Sequence, residues 1–147
     1  MAKSKIGALG GNDAGHEIIS GGANNMTGTN VLQFVLDVEE IDWLTFDITY
    51  TGTPTGTFKV EASNSYLPNR RDLSGASPNT PIRAGSWKDM TSRLAPALTN
   101  PAGAGGNQFV GFPMGDVAIG GSYVRFTYTN TSGTGALDVY VTGKAVG

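Results

Sequence analysis

The chain reads as an all-β protein: a two-sheet antiparallel sandwich of the jelly-roll type, carrying an extended Gly/Asn-rich N-terminal arm. Three observations predict this. Near the C-terminus, Val124, Phe126 and Tyr128 alternate with Arg125, Thr127 and Thr129, and Leu137, Val139 and Val141 alternate with Asp138, Tyr140 and Thr142. Strict period-2 alternation gives each strand one buried and one wet face. No stretch of the chain carries the 3.6-residue period of a helix. Finally, Pro68, Pro78, Pro81, Pro96 and Pro101 break up the middle of the chain, leaving room only for short elements between loops.

Taken in order, residues 1–30 are the arm and 31–147 the sandwich. The arm is dominated by Gly10-Gly11-Asn12, Gly21-Gly22-Ala23-Asn24-Asn25 and Gly28-Thr29-Asn30, too poor in apolar groups to offset its own ordering entropy. It reads as a tail with one short edge strand, or as a segment that orders on a neighbour through Ile6, Leu9, Ile18, Ile19 and Met26. From Val31 to Val38 the chain is apolar on both faces, as in an interior strand. Trp43–Tyr50 alternates, with Leu44, Phe46, Ile48 and Tyr50 inward. After the turn Thr51-Gly52-Thr53-Pro54-Thr55-Gly56, Phe58, Val60 and Ala62 face in while Lys59, Glu61 and Ser63 face out. These two strands are expected to pair as a hairpin, and so are the two that flank Asn130-Thr131-Ser132-Gly133-Thr134-Gly135.

Between the hairpins, Trp87–Thr91, Gln108–Phe112 and Val117–Ile119 read as short strands. The expected core is Phe34, Leu36, Leu44, Phe46, Ile48, Phe58, Val60, Val124, Phe126, Leu137, Val139 and Val141. Open sheet edges on a surface poor in charge lead one to expect at least a dimer.

Composition narrows the function classes. Only 15% of the residues are charged and the net charge is −2, against roughly 25% charged in an ordinary soluble domain. Hydroxyls and amides cover such a surface, which suits a chain that lies against other protein. Lys and Arg are scattered, so no basic stripe points to nucleic acid. There is no cysteine, which excludes disulfides and thiolate metal sites. The first residues carry no apolar run of signal-peptide length, and no segment approaches a membrane span. The expectation is a chain folded in a cytoplasm, with no membrane partner.

Candidate chemistry is sparse. His16 is the one histidine, and the Gly-rich arm is a poor place to hold it beside a nucleophile. The acidic run Asp37, Glu39, Glu40 and Asp42 offers oxygen ligands of the kind Ca²⁺ takes, but lacks the spacing and central glycine of an EF-hand, and reads as a solvated strand connection. Gly103-Ala104-Gly105-Gly106 lacks the Lys-Ser or Lys-Thr of a phosphate loop. Asn25-Met26-Thr27 and Asn130-Thr131-Ser132 match the glycosylation triplet, which arises readily by chance in an Asn- and Thr-rich chain. Trp43, Trp87, Tyr66 and Tyr123 are core or interface residues, or alternatively a sugar-stacking platform. Arg70-Arg71, in a long loop, reads as a contact for an acidic surface. No catalytic residue, cofactor or metal is assigned.

The order of motifs resembles that of small virion structural proteins of tailed bacteriophages. It runs from Ile48-Thr49-Tyr50-Thr51-Gly52 through Gly56-Thr57-Phe58-Lys59-Val60-Glu61-Ala62-Ser63 and Trp87-Lys88-Asp89-Met90. It ends with Tyr123–Thr129, the Ser132-Gly133-Thr134-Gly135 turn and the strand through Gly143-Lys144, so the resemblance covers about residues 43 to 145. Among these proteins are capsid decoration, or cement, proteins with jelly-roll folds. The resemblance implies a non-enzymatic protein on the capsid surface of a virion, assembled in the host cytoplasm. Its implied partners are the major capsid protein and further copies of itself, as a dimer or trimer. The alternative is a carbohydrate-binding or receptor-recognition module of a phage tail or fibre.

Overall fold

The computed structural model describes residues 2–4, 7–9, 17–19, 24–68 and 81–146. It contains β1 (Ala2–Ser4), β2 (Gly7–Leu9), β3 (Glu17–Ile19) and β4 (Asn25–Met26). These precede β5 (Val31–Asp37), β6 (Trp43–Gly52), β7 (Thr55–Ser63) and β8 (Lys88–Asp89). The remaining strands are β9 (Gly106–Phe112), β10 (Tyr123–Ser132) and β11 (Gly135–Val146). One sheet runs β1-β11-β6-β9, with β3 and β4 also on β11; the other runs β2-β5-β10-β7-β8. All pairings are antiparallel. The protein is an all-β, two-sheet sandwich.

The core lies where alternation places it. Every residue expected inside is buried, and Phe126 is its centre, with its ring 5.1 Å from Phe34, 5.9 Å from Phe46 and 5.6 Å from Phe58. β5 differs from expectation. Phe34, Leu36 and Val38 are buried, whereas Val31 on the other face is 56% exposed. Only the inner face of β5 joins the core.

The two expected hairpins do not form. β6 belongs to the first sheet and β7 to the second, and β10 and β11 are divided in the same way. Each two-residue link is a crossover between sheets. β6 instead pairs with β11 and β7 with β10, so one long two-stranded ribbon is folded in half across the two sheets. Register runs through the fold: Gly52 opposes Gly135, Thr53 N–H donates to the Thr134 carbonyl at 2.8 Å, and Thr55 opposes Ser132. It slips only at Thr131. Gly52 and Gly133 turn the corner with φ of 82° and 73°, a conformation that side chains disfavour. A Cβ on either would also collide with a carbonyl oxygen of the opposing turn, Thr134 or Thr53.

Asn130 locks this corner. It is 1% exposed; its Oδ1 accepts from the Tyr128 hydroxyl at 2.7 Å, and its Nδ2 donates to the Gly28 carbonyl at 3.0 Å. Burial raises the Tyr128 hydroxyl pKa, with the Tyr50 hydroxyl adding to the effect.

The same contacts bind residues 24–30 into the sandwich. Asn130 N–H donates to the Asn30 carbonyl and Leu137 N–H to the Asn24 carbonyl, and Met26 is fully buried. Residues 24–30 are therefore joined to the sandwich.

Two seams close the sides. On one side, the loop from 90 to 101 covers both sheets. Val60 N–H donates to Thr91 Oγ1 and Phe58 N–H to Asn100 Oδ1, each at 2.9 Å, while Ala95 exchanges backbone bonds with Gly111. On the other side, β1 pairs with the end of β11 and β2 with the end of β5. Pairing with β1 and β2 occupies the edges of β11 and β5 along these stretches. Val117–Ile119, expected as a strand, is a 3-10 turn, because Asp116 Oδ1 accepts from Ala118 N–H and caps it.

Two expected outcomes follow. Asn130→Ala strands the buried Tyr128 hydroxyl and should cost about 2 kcal/mol or more in denaturant melts; a cost near zero would mean the corner does not depend on it. The second concerns pH. Asp89 is held below the usual carboxylate range by the Thr91 hydroxyl and N–H, and Asp116 by hydrogen bonds from Arg93. Unfolding raises both pKa values, so their stabilisation is present above the ordinary aspartate value and is lost as pH falls through the lowered folded values. Acidification below about pH 4 should lower the melting temperature, and Asp89→Asn with Asp116→Asn should flatten that decline.

Candidate functional site

The outer faces of the two sheets differ in chemistry. On β6 the outward residues are Trp43, Thr45, Asp47 and Thr49. Register sets Lys144, Thr142, Tyr140 and Asp138 of β11 opposite them. On the other side Gly111 of β9 lies opposite Thr45, and Phe109 opposite Asp47. Phe109 is 63% exposed, Trp43 43% and Tyr140 42%. Trp43, Thr45, Phe109, Thr142 and Lys144 line a shallow depression of about 310 Å³. The Lys144 ammonium sits 5.9 Å from the centre of the Trp43 ring, close enough for a cation–π contact. Gly111 helps to keep the floor open: a Cβ there would press on the Leu44 carbonyl at 2.8 Å and the Thr45 methyl at 2.9 Å. The arrangement offers aromatic rings, two hydroxyls and one cation on a rigid sheet.

The second sheet carries its aromatics differently. Tyr66 packs on Trp87 at 5.3 Å and on Tyr123 at 5.1 Å, and the Arg125 guanidinium lies 4.2 Å above the Trp87 ring. Arg125 Nη2 donates to Glu61 Oε1 at 2.8 Å, and Trp87 Nε1 donates to the Ala84 carbonyl at 2.9 Å. Partial burial, then the neighbouring Tyr123, raises the Tyr66 pKa, with Arg125 opposing. Glu61 and Ser63, expected to face water, are instead only 7% and 5% exposed. They are on the outer side as read, but Arg125, the Ser65–Tyr66 turn and β8 cover them. This cluster fastens a loop to the sheet; its rings face one another.

Of the four aromatics weighed as a platform, only Trp43 stands on the open face. Phe109, Tyr140 and Lys144 join it from strands far away in sequence. Alternation marks Tyr140 as outward, but register alone brings the four together.

The residues expected to contact a partner are distributed otherwise. Met26, expected to anchor a partner, is fully buried in this chain's own core. Leu9, Ile18 and Ile19 lie on β2 and β3, whose backbones pair with this chain's own β5 and β11. Ile6, Arg70, Arg71 and His16 lie outside the described residues. In the acidic run, Asp37 Oδ1 accepts from Glu39 N–H at 3.1 Å. Among the described residues no group of three or more His, Cys, Asp or Glu side chains is placed to hold a metal. No helix among them is long and apolar enough to cross a membrane.

No protein-family model matches the chain, and no curated protein sequence matches it.

The contrast between the two aromatic groups can be measured. Trp43→Ala and Phe109→Ala remove exposed rings and should each change stability by less than about 1 kcal/mol. Trp87→Ala removes a ring held by Tyr66 and Arg125 and should cost about 2 kcal/mol. Equal losses in urea melts would show that the open face is structural as well.

Proposed function

We propose that this chain is a non-enzymatic virion structural protein, a capsid decoration protein that binds the outside of a phage shell and stabilises it. One observation carries the reading. Ahead of Asn24, the described strands β1, β2 and β3 are laid by backbone pairing along the outer edges of both sheets, while the described core begins at Met26. A segment held by short edge ladders can be transferred to a neighbouring subunit without opening the core, with the ordering entropy met on binding. The sandwich then acts as a rigid block and the segment as its strap. Most of the motifs that resemble those of phage cement proteins lie on the folded ribbon, and a surface with few charges suits a chain pressed against other protein. Many copies on one shell let modest contacts add through avidity. The partners in this reading are the major capsid protein and further copies of the chain, placed at the capsid surface.

The test is cosedimentation with empty shells assembled from a phage major capsid protein. The full chain should pellet with shells and raise their melting temperature. Deleting residues 1–23 should weaken attachment at least tenfold while shifting the protein's own melting temperature by only a few degrees. Failure of the full chain to pellet would overturn the reading. Equal attachment by the truncated chain would remove the strap and leave the block.

A further inference from the structure

We infer that the depression on the outer face of the first sheet is a saccharide site, which takes a short oligosaccharide bearing an acidic pyranose. This goes beyond the shell-binding reading and does not rest on it. The lining supplies the chemistry that recognises such a ligand. A pyranose ring presents an apolar C–H face, and exposed aromatic rings are its natural counterpart; Trp43 and Phe109 are both open to solvent. The sugar's hydroxyls need donors and acceptors at the same depth, and Thr45 and Thr142, adjacent in the β6–β11 ladder, supply them between the rings. The one charged side chain among the described lining residues is Lys144. Its ammonium, held over Trp43, selects a carboxylate at that end.

Size and rigidity favour a sugar over a protein. A depression of about 310 Å³ falls at the lower end of small-ligand sites, whereas a stable protein interface needs roughly 800 Å² on each partner. Trp43 lies four residues before Asp47, the residue opposite Phe109. Their backbone positions are therefore offset by about 13 Å along the strands, a span that suits linked sugars better than a single one. The side chains stand on three paired strands of one sheet, so the site is formed before the ligand arrives and little ordering entropy opposes binding.

The test uses the full chain on a glycan array carrying uronate-, sialate- and neutral hexose-terminated oligosaccharides, followed by titration of the best acidic binder. The expected result is saturable binding to acidic glycans in preference to neutral ones. Trp43→Ala and Phe109→Ala should each weaken it at least tenfold with folding intact, and Lys144→Gln should erase the preference for acid. Binding to no acidic glycan overturns the proposal, as does binding that both aromatic variants leave unchanged. If glycans fail to bind and Trp43→Ala instead weakens pelleting with shells, the face belongs to the shell. That outcome refutes the saccharide site and leaves the decoration reading standing. If glycans bind and the full chain never pellets with shells, the reverse holds.

Discussion

The rest of the molecule depends on how one two-stranded ribbon is bent. β6 and β7 run continuously against β10 and β11, and the pair folds where Gly52 opposes Gly135. At that point two backbones approach so closely that a Cβ on Gly52, Gly133 or Gly135 would strike a carbonyl oxygen of the facing turn. Once the ribbon is bent there, its two halves must face each other, and the apolar side of every strand is committed to the space between. Asn130 completes the corner by joining the Tyr128 hydroxyl to the 24–30 turn. A buried polar group of this kind stabilises only when fully partnered, and no buried side-chain nitrogen or oxygen among the described residues lacks a partner.

Bending the ribbon leaves the sheets with edges, and the chain closes them economically. One loop supplies a hydroxyl from Thr91, an amide from Asn100 and a backbone bridge at Ala95, and so covers β7 and β9 together. The N-terminal strands cover the opposite side. The two sheet faces offer further surfaces for recognition, and they are unequal. The second sheet spends its aromatics on holding a loop beneath Arg125, whereas the first presents Trp43, Phe109 and Tyr140 to solvent. That asymmetry gives the sandwich a direction.

Little of the candidate site was legible in advance. Trp43 drew attention as a large aromatic on an outward position. Phe109 and Lys144 did not, because nothing local distinguishes them from any other outward residue. They become neighbours through two ladders that join segments some sixty and a hundred residues apart. The Arg125–Glu61 pair was hidden for the same reason: alternation marks both as wet, and only the register of β10 on β7 sets them opposite each other. Met26 shows the converse failure. Its Gly- and Asn-rich surroundings suggest a loose arm, but one apolar side chain at the right place along β11 is drawn into the core.

The sequence by itself determined the class of the fold and the inward face of the long alternating strands. Both follow from alternation, which is a property of each strand alone: Phe46, Phe58, Phe126 and Val139 point inward whatever their strands pair with. It could not determine which strands pair. A strand with one apolar face satisfies the hydrophobic effect equally well beside its sequence neighbour in one sheet or across from it in the other, and both arrangements give the same pattern of residues. The links Thr53-Pro54 and Gly133-Thr134 are short enough to look like hairpin turns. Only the folded ribbon decides the matter. There, β6 finds β11 and β7 finds β10, and the free energy of two long ladders and one closed core outweighs the local preference for pairing across a tight turn.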